Sequence, residues 1–231
     1  MPEPVIQISS PEDYVTPNRA APTRKTLHQN ILGKLRPLPL QYHWTFWFDK
    51  HSESASPNPE EEYASRLTVL YEDVADIATF YRVYNNYPWD KIRLRDTVHI
   101  FRKGTKPVWE DPDNVNGGCW TFRVPKGNSQ QFFHELAILT MASELQAAIE
   151  GEHDHVLGVS TSTRFNSNLI SVWNKHGFNE KSIRILENTI LSRLSPELRP
   201  VPDSNSYFYK RHADREGYQE AIKQAPVDSN K

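Results

Sequence analysis

The chain has 231 residues and a mass of 26.8 kDa, which suits one domain with tails or at most two small domains. Its 27 basic and 29 acidic side chains give a formal net charge of −2, which excludes a generic polyanion binder that relies on many phosphate contacts. The single cysteine excludes an internal disulfide framework. Because the sequence has no signal-peptide pattern and no apolar run long enough for a bilayer, we expect a cytoplasmic protein without a membrane partner.

The distribution of proline and polar residues predicts the domain boundaries. Residues 1–36 mix proline, hydroxyl and charged side chains with almost no apolar periodicity, which predicts a disordered N-terminal arm. Residues 37–216 are enough for one sizeable core, interrupted by a polar, proline-broken loop over 51–62. The polar residues 217–231 predict a flexible C-terminal tail.

Apolar periodicity and turn signals predict the secondary structure in chain order. Strands are predicted over residues 41–48, 66–71, 92–102, 120–124, 155–164, 169–173 and 206–210, and helices over 73–85, 129–150 and 181–194. Asp73 is the predicted N-cap of the first helix, and Pro196 stops the last one. Strands and hairpins interspersed with three helices indicate an α+β domain whose antiparallel sheet is covered on one face.

A tryptophan and a glutamate stand side by side in a loop between two prolines. Pro107 and Pro112 keep this segment out of a helix, which leaves Trp109 either exposed or half-packed. Guanine presents two donors that match one carboxylate, and its face stacks on aromatic rings. A methylated, cationic base gains a further cation–π attraction. Trp109 and Glu110 are therefore a candidate site for a guanine base.

Six motifs occur in order along the core. They are Pro39–Phe48, Phe101–Asp111, Asn116–Trp120, Gly158–Ser160 followed by Arg164, Ile170–Trp173 and Tyr209–Asp214. In order and spacing they resemble the mRNA cap-binding translation initiation factor 4E family over about residues 38–215. The resemblance implies an α+β fold with a curved antiparallel sheet of about eight strands and three helices on its convex face. It also implies a cap site on the concave face and a capped mRNA partner, with neither a cofactor nor a metal.

The resemblance assigns a role in cap recognition to five residues. Trp109 would be one slice of an aromatic sandwich around 7-methylguanine, and Glu110 would hold the N1 and N2 atoms of the base. Trp173 would line the pocket of the N7 methyl group, and Arg164 would contact the triphosphate. Tyr63 would be the second slice, where the family's main class has tryptophan, and it makes the chain similar to the 4E-homologous second class.

Two positions depart from the family pattern in the phosphate region. Cys119 and Leu169 stand where the family has basic residues, so we expect a weaker hold on the phosphates. Three cations of the last loop are candidates to compensate, namely Lys210, Arg211 and Arg215.

The resemblance also implies a binding surface for a helical partner peptide on the convex face. It centres on Val74, Ile77, Ala78 and Ile138. Ala78 replaces a tryptophan that the family usually carries four residues beyond the valine. We therefore expect a generic Tyr-x-x-x-x-Leu-hydrophobic helix to bind poorly. The alternative for these apolar residues, and for Ile77 in particular, is simple packing onto the sheet.

Other classes of function have less support in the sequence. His153-Asp154-His155 is compatible with a metal site but also with an ordinary polar turn, and Cys119 has no evident histidine partner for catalysis. We therefore expect a non-enzymatic cap-binding protein of translation initiation or its repression. The alternative is a scaffold of the same fold with weak or lost cap binding that acts through protein partners. A decapping-type phosphohydrolase would need clustered carboxylates, which the sequence lacks.

Overall fold

The computed structural model describes residues 37–51, 66–201 and 205–224. The strands are Pro39–Asp49 (β1), Leu67–Asp76 (β2), Thr97–Arg102 (β3), Gly118–Pro125 (β4), Val156–Thr163 (β5), Ser167–Asn174 (β6) and Tyr207–Arg211 (β7). The α-helices are Ile77–Asn86 (α1), Lys126–Met141 (α2), Glu144–Ile149 (α3), Glu180–Arg193 (α4) and Tyr218–Gln224 (α5). No helix of this described part is both long and apolar enough to cross a membrane.

The strands form one curved, open sheet in the order β2-β1-β3-β5-β6-β4-β7, and every neighbouring pair is antiparallel. This confirms the predicted α+β class and antiparallel sheet. The described residues contain seven strands, against the expected number of about eight.

The main core lies between one face of the sheet and the helices. The strands contribute Trp44, Phe46, Ile100, Phe122 and Val172, and α2 and α4 contribute Phe132, Phe133, Leu136, Leu186 and Ile190. Because strand side chains alternate between faces, the residues between them point to the opposite face of the sheet. That second face carries the site described below.

The first helix begins later than the sequence predicts. The structure continues β2 through Asp73 to Asp76, and α1 starts at Ile77. Asp76 is the N-cap, because its carboxylate accepts a hydrogen bond from the backbone N–H of Thr79 at 2.8 Å. This bond lowers the pKa of Asp76. Val74 consequently belongs to a strand and is completely buried.

The long helix predicted over 129–150 is two helices in the structure. Ser143 has a backbone φ of 63°, in the left-handed region that ends a helix, so α2 and α3 are separate. No glycine marks this break in the sequence. Residues 92–96 are also not part of a strand, since β3 begins at Thr97.

The predicted flexible tail contains ordered structure in its described part. Helix α5 covers Tyr218–Gln224, and Tyr218 is buried. The hydroxyl of Tyr218 donates a hydrogen bond to the carbonyl of Val115. The described part of the predicted tail is therefore helical, and its flexibility stays a prediction.

Candidate functional site

Cross-strand pairs place three rows of side chains on the second face of the sheet. Row one is Thr45, Phe101, Gly158, Trp173, Cys119 and Lys210. Row two is Trp47, His99, Ser160, Ser171, Thr121 and Phe208. Row three is Asp49, Thr97, Ser162, Leu169 and Arg123. Strands rise about 3.3 Å per residue, so rows one and three lie roughly 13 Å apart along β6.

Side-chain hydrogen bonds hold the loop that carries Trp109 in one shape. The buried Asn114 donates through Nδ2 to the carbonyls of Lys106 and Val108, both at 2.7 Å. Asp111 closes the same loop, since its Oδ2 accepts from the backbone N–H of Lys106 at 2.8 Å. Trp109 is therefore presented by a fixed backbone.

The Trp109–Glu110 pair lies next to row one. Trp109 is partly buried against a small apolar cluster of Phe101, Cys119, Leu157 and Trp173. Oε2 of Glu110 is buried and has no hydrogen-bond partner among the described residues. A buried acceptor without a partner costs about 1–3 kcal/mol, and a charged one costs more. This oxygen would therefore be stabilised by donors that a ligand brings.

Trp173 is fixed on the second face by its neighbours. Its ring meets Phe101 edge-on with centroids 5.1 Å apart and lies 4.6 Å from the ring of His212. Its Nε1 donates to Oγ of Ser160 at 3.1 Å. Burial, followed by the positive charge of Arg215, lowers the pKa of His212 to about 3, so this imidazole is neutral at neutral pH.

A second buried histidine lies at the centre of row two. His99 stands between Trp47 and Ser160 in the register, and burial lowers its pKa to about 3. Both of its ring nitrogens lack a hydrogen-bond partner within the described ranges. The sequence pattern marked this position only as part of a strand.

Arg215, from the loop after β7, brings a positive charge to the Trp109 end of the face. Its Nη2 donates to Sγ of Cys119 at 2.8 Å, and its guanidinium lies 5.8 Å from the ring centroid of Trp109. The neighbouring Arg211 is instead paired with Asp214, with an Nε–Oδ2 distance of 2.6 Å. Of these two arginines, Arg215 is the one that faces the predicted site.

Arg164 lies at the opposite end of the same face. Its Nη1 donates to Oγ of Ser162 at 2.6 Å and to the carbonyl of Thr163 at 3.0 Å. Desolvation, followed by the like charge of Arg95, lowers the pKa of Arg164. The structure thus brings Trp109, Glu110 and Trp173 together, with Arg164 farther along the face. Tyr63 lies outside the described residues.

The predicted partner surface is only partly on the surface. Ile77 is 40% exposed, Ala78 is exposed, and Ile138 is half-buried. Val74 is 0% exposed, because it lies in β2 and belongs to the core, so it offers no surface to a partner in this structure. A groove of about 430 Å³ runs between α1, α2 and the start of β1, lined by Pro39, Leu40, Ile77, Tyr81, Ile138 and Met141, among others.

The His153-Asp154-His155 turn has a structural role. Asp154 is completely buried and accepts hydrogen bonds from the backbone N–H groups of His155 and His176 and from Nδ2 of Asn174, at 2.7–3.0 Å. It also accepts a hydrogen bond from the hydroxyl of Ser182 in the first turn of α4. Across the described ranges, no group of three or more His, Cys, Asp or Glu side chains could hold a metal ion.

Comparison with known proteins identifies the family. The model of the family "Eukaryotic initiation factor 4E" matches residues 39–226, most of the chain. The chain belongs to the eukaryotic initiation factor 4E family. The rice (Oryza sativa subsp. japonica) protein "Eukaryotic translation initiation factor NCBP" is 27% identical over 175 residues, 75% of this chain and 71% of the relative. Factor 4E-1 of Prunus domestica is 31% identical over 144 residues, 61% of this chain and 58% of the relative.

Solved structures of initiation factor 4E proteins share the fold. The complex of C. elegans eIF4E-3 with the 4E-binding protein Mextli and cap analog has a TM-score of 0.65 at 20% identity, covering 78% of this chain and 95% of that chain. Ascaris suum eIF4E-3 with m7G cap has a TM-score of 0.64, also at 20% identity, covering 78% and 94%. At this level of identity the likeness establishes the fold of the 4E family member described here.

Proposed function

We propose that this protein binds the 7-methylguanosine cap of mRNA, without enzymatic chemistry, in translation initiation or its repression. The observation that carries the proposal is the buried, unpartnered Oε2 of Glu110 next to the half-buried ring of Trp109. The two carboxylate oxygens would accept hydrogen bonds from N1–H and N2–H of guanine. The names and titles of the relatives, which include initiation factors and complexes with cap and cap analog, also support this function.

Aromatic rings would recognise the charge of the methylated base. Trp109 would stack on one face of the base, Tyr63 on the other, and Trp173 would lie beside the N7 methyl group. Stacking of a cation on an aromatic face contributes about 0.5–2 kcal/mol of binding free energy. An unmethylated guanine is neutral and lacks this contribution. For Tyr63 we expect Tyr63→Ala nearly to abolish cap binding and Tyr63→Trp to tighten it modestly. Unchanged binding by Tyr63→Ala would mean that another residue supplies the second ring.

Two arginines would hold the triphosphate. Arg164 contacts Ser162 of row three, and Arg215 contacts Cys119 of row one. Cys119 and Leu169 are neutral positions of the same face, so few phosphates would be neutralised. We therefore expect a shallow dependence of cap affinity on salt concentration.

A titration with 7-methyl-GTP tests this function directly. Quenching of intrinsic tryptophan fluorescence reports binding, because Trp109 and Trp173 would both contact the base. GTP is the control, since it keeps the phosphates and the guanine edge but lacks the methyl group and its charge. Equal binding of the two nucleotides would contradict the proposal.

The groove between α1 and α2 supports a second binding activity, for a helical partner peptide. The exposed Ile77 and Ala78 and the half-buried Ile138 are the residues that we assign to this contact. Because Ala78 offers no large anchor, the partner would need contacts beyond a short Tyr-x-x-x-x-Leu-hydrophobic helix.

A scaffold with lost cap affinity is the second candidate function. The observation that favours it is the guanidinium of Arg215, which lies over Trp109 where a cationic base would stack. The same titration separates the two candidates, because a scaffold would bind the partner helix without a measurable response to 7-methyl-GTP.

A further inference from the structure

Cationic and exposed apolar side chains lie together at the tip of the β5–β6 hairpin, beyond row three. Phe165 is 79% exposed there and follows Arg164 directly. The loop before β3 adds the exposed Arg93 and Arg95 and the half-exposed Leu94, at 50%. We refer to these five residues as the tip patch.

Backbone hydrogen bonds hold the two halves of the tip patch together. The N–H of Arg95 donates to the carbonyl of Thr163 at 2.8 Å, and the N–H of Thr163 donates to the carbonyl of Asp96 at 3.1 Å. Arg95 and Arg164 are therefore neighbours, and their mutual repulsion is one reason for the lowered pKa of Arg164. The patch is a fixed combination of two segments rather than a loose loop.

The positive charge of the patch is not neutralised within the described part of the chain. No carboxylate there lies within ion-pair distance of Arg93, Arg95 or Arg164. The carboxylate of Asp96 accepts instead from the backbone N–H groups of His51 and Arg93, at 2.8 and 3.2 Å. Nη1 of Arg95 lies 3.4 Å from the ring of His51. A chain of net charge −2 thus keeps a local cationic surface.

An exposed aromatic ring among unpaired cations matches the chemistry of single-stranded RNA. Bases stack on aromatic side chains regardless of sequence, and cations contact the phosphates between them. An acidic peptide would use the cations alone and would leave Phe165 in water. RNA is therefore the partner that uses all the parts of the patch.

We propose that the tip patch binds the first nucleotides after the cap, with Phe165 stacking on a base and Arg95 contacting a phosphate. The inference rests on the proposed cap function. A base held beside Trp173 in row one, with its triphosphate running towards Arg164, would place the following RNA chain at the hairpin tip. Rows one and three span roughly 13 Å of this path.

Binding of four ligands tests the proposal: 7-methyl-GTP, GTP, a short unstructured capped RNA, and the same RNA without a cap. Fluorescence quenching and anisotropy give the dissociation constants. We expect the parent protein to bind capped RNA about tenfold more tightly than 7-methyl-GTP, as one stacked base provides. Phe165→Ala should remove most of this difference and leave the affinity for 7-methyl-GTP unchanged. Arg95→Gln should make the salt dependence for capped RNA shallower by about 0.7 in log–log slope.

Phe178→Ala is the matched control, because Phe178 is also exposed, at 64%, but lies under the guanidinium of Arg211 before α4. It should not change the affinity for capped RNA. Equal affinities of the parent for capped RNA and 7-methyl-GTP, or an unchanged affinity of Phe165→Ala for capped RNA, would overturn the tip-patch proposal and leave the cap function standing. If 7-methyl-GTP and capped RNA bind no better than GTP and uncapped RNA, the cap function fails, and this inference fails with it.

Discussion

The two faces of the sheet have opposite properties. The face under the helices carries apolar side chains such as Phe46 and Ile100, which belong to one core with Leu136 of α2, and none of the three has exposed surface. The second face places Glu110 and His99 beside aromatic rings, with buried polar atoms that lack partners among the described residues. Unsatisfied buried polar groups reduce stability and are rare in folded proteins. Such atoms also occur on the helix side, at Nε1 of Trp44 and Oγ1 of Thr140. The second face differs because its unpartnered atoms include a carboxylate oxygen and two imidazole nitrogens, which are the groups that we propose to be available for binding or sensitive to pH.

Removing a side chain from the core under the helices is the strongest test of whether the two faces of the sheet have separate roles. Leu136→Ala deletes a completely buried side chain of α2 and should lower the free energy of unfolding by about 2–5 kcal/mol. Urea unfolding monitored by circular dichroism gives this value. Affinity for 7-methyl-GTP should not change while the protein remains folded. A loss below about 1 kcal/mol, or a parallel loss of cap affinity, would show that the two faces are not separate in this way.

Acid should destabilise the fold through the histidines of the second face. Burial lowers the pKa of His99 to about 3 from 6.5, so between these values only the unfolded chain takes up a proton there. The stability contributed by neutral His99 is present above pH 6.5 and is lost as the pH falls towards 3. The loss is at most about 1.4 kcal/mol per pH unit.

Urea unfolding at pH 6.5 and 4.5 measures this effect. His99→Gln should reduce the acid-induced loss by up to about 3 kcal/mol over that interval. His176→Gln, at an exposed position, is the control and should behave as the parent. An identical pH dependence in His99→Gln and the parent would contradict a neutral, buried His99.

A gain of function on the helix side tests whether partner binding is independent of the second face. Ala78→Trp adds an aromatic anchor to an exposed position of α1, so a generic Tyr-x-x-x-x-Leu-hydrophobic peptide should bind about thirtyfold more tightly, or about 2 kcal/mol. Calorimetry with the peptide and with 7-methyl-GTP measures both sites, and cap affinity should stay constant. Arg184→Trp on α4 controls for any added indole. Tight peptide binding by the unmodified protein would contradict the role of Ala78.

The smallest effect concerns the charge that Arg215 brings to the second face. Arg215→Gln should weaken 7-methyl-GTP binding by about three- to tenfold and leave the affinity for the 7-methylguanosine nucleoside unchanged, because the nucleoside lacks phosphates. Arg211→Gln is the matched control, since Asp214 already occupies that guanidinium. Equal losses for nucleoside and nucleotide, or tighter binding of either, would show that Arg215 is not a phosphate contact.

Local patterns located the strands because each is a short run rich in β-branched and aromatic residues with turn signals at its ends. Burial does not alternate along all of them, since β4 and β5 are buried on both faces of the sheet. This is one reason why the ends of β2 and β3 were misplaced. The start of α1 could not be located in the same way, since Asp73 and Asp76 are both suitable caps. Pairing of Val74 with Trp44 in the sheet decides between them. The break at Ser143 has no local signal either, because neither glycine nor proline stands there.

The same distinction applies to the site. Trp109 and Glu110 are candidates from the sequence because both prolines and the acidic neighbour stand within one loop, and their role in cap binding stays a prediction. The roles of Asn114 and Arg215 depend on contacts that the chain makes only when folded. Arg215 reaches Cys119 across 96 positions of sequence, so no spacing rule could single it out from the other cations of its loop.

Calorimetric titration of the parent and Glu110→Gln with 7-methyl-GTP tests whether the Glu110 carboxylate recognises the guanine edge. Charge-assisted hydrogen bonds contribute about 1.5–3 kcal/mol, so we expect a ten- to hundredfold loss of affinity. The melting temperature should change little, because glutamine keeps the size of the side chain and Oε2 of Glu110 has no hydrogen-bond partner to lose among the described residues. Glu197→Gln, at an exposed position, should bind as the parent does. Unchanged affinity of Glu110→Gln for 7-methyl-GTP would show that this carboxylate does not hold the guanine base.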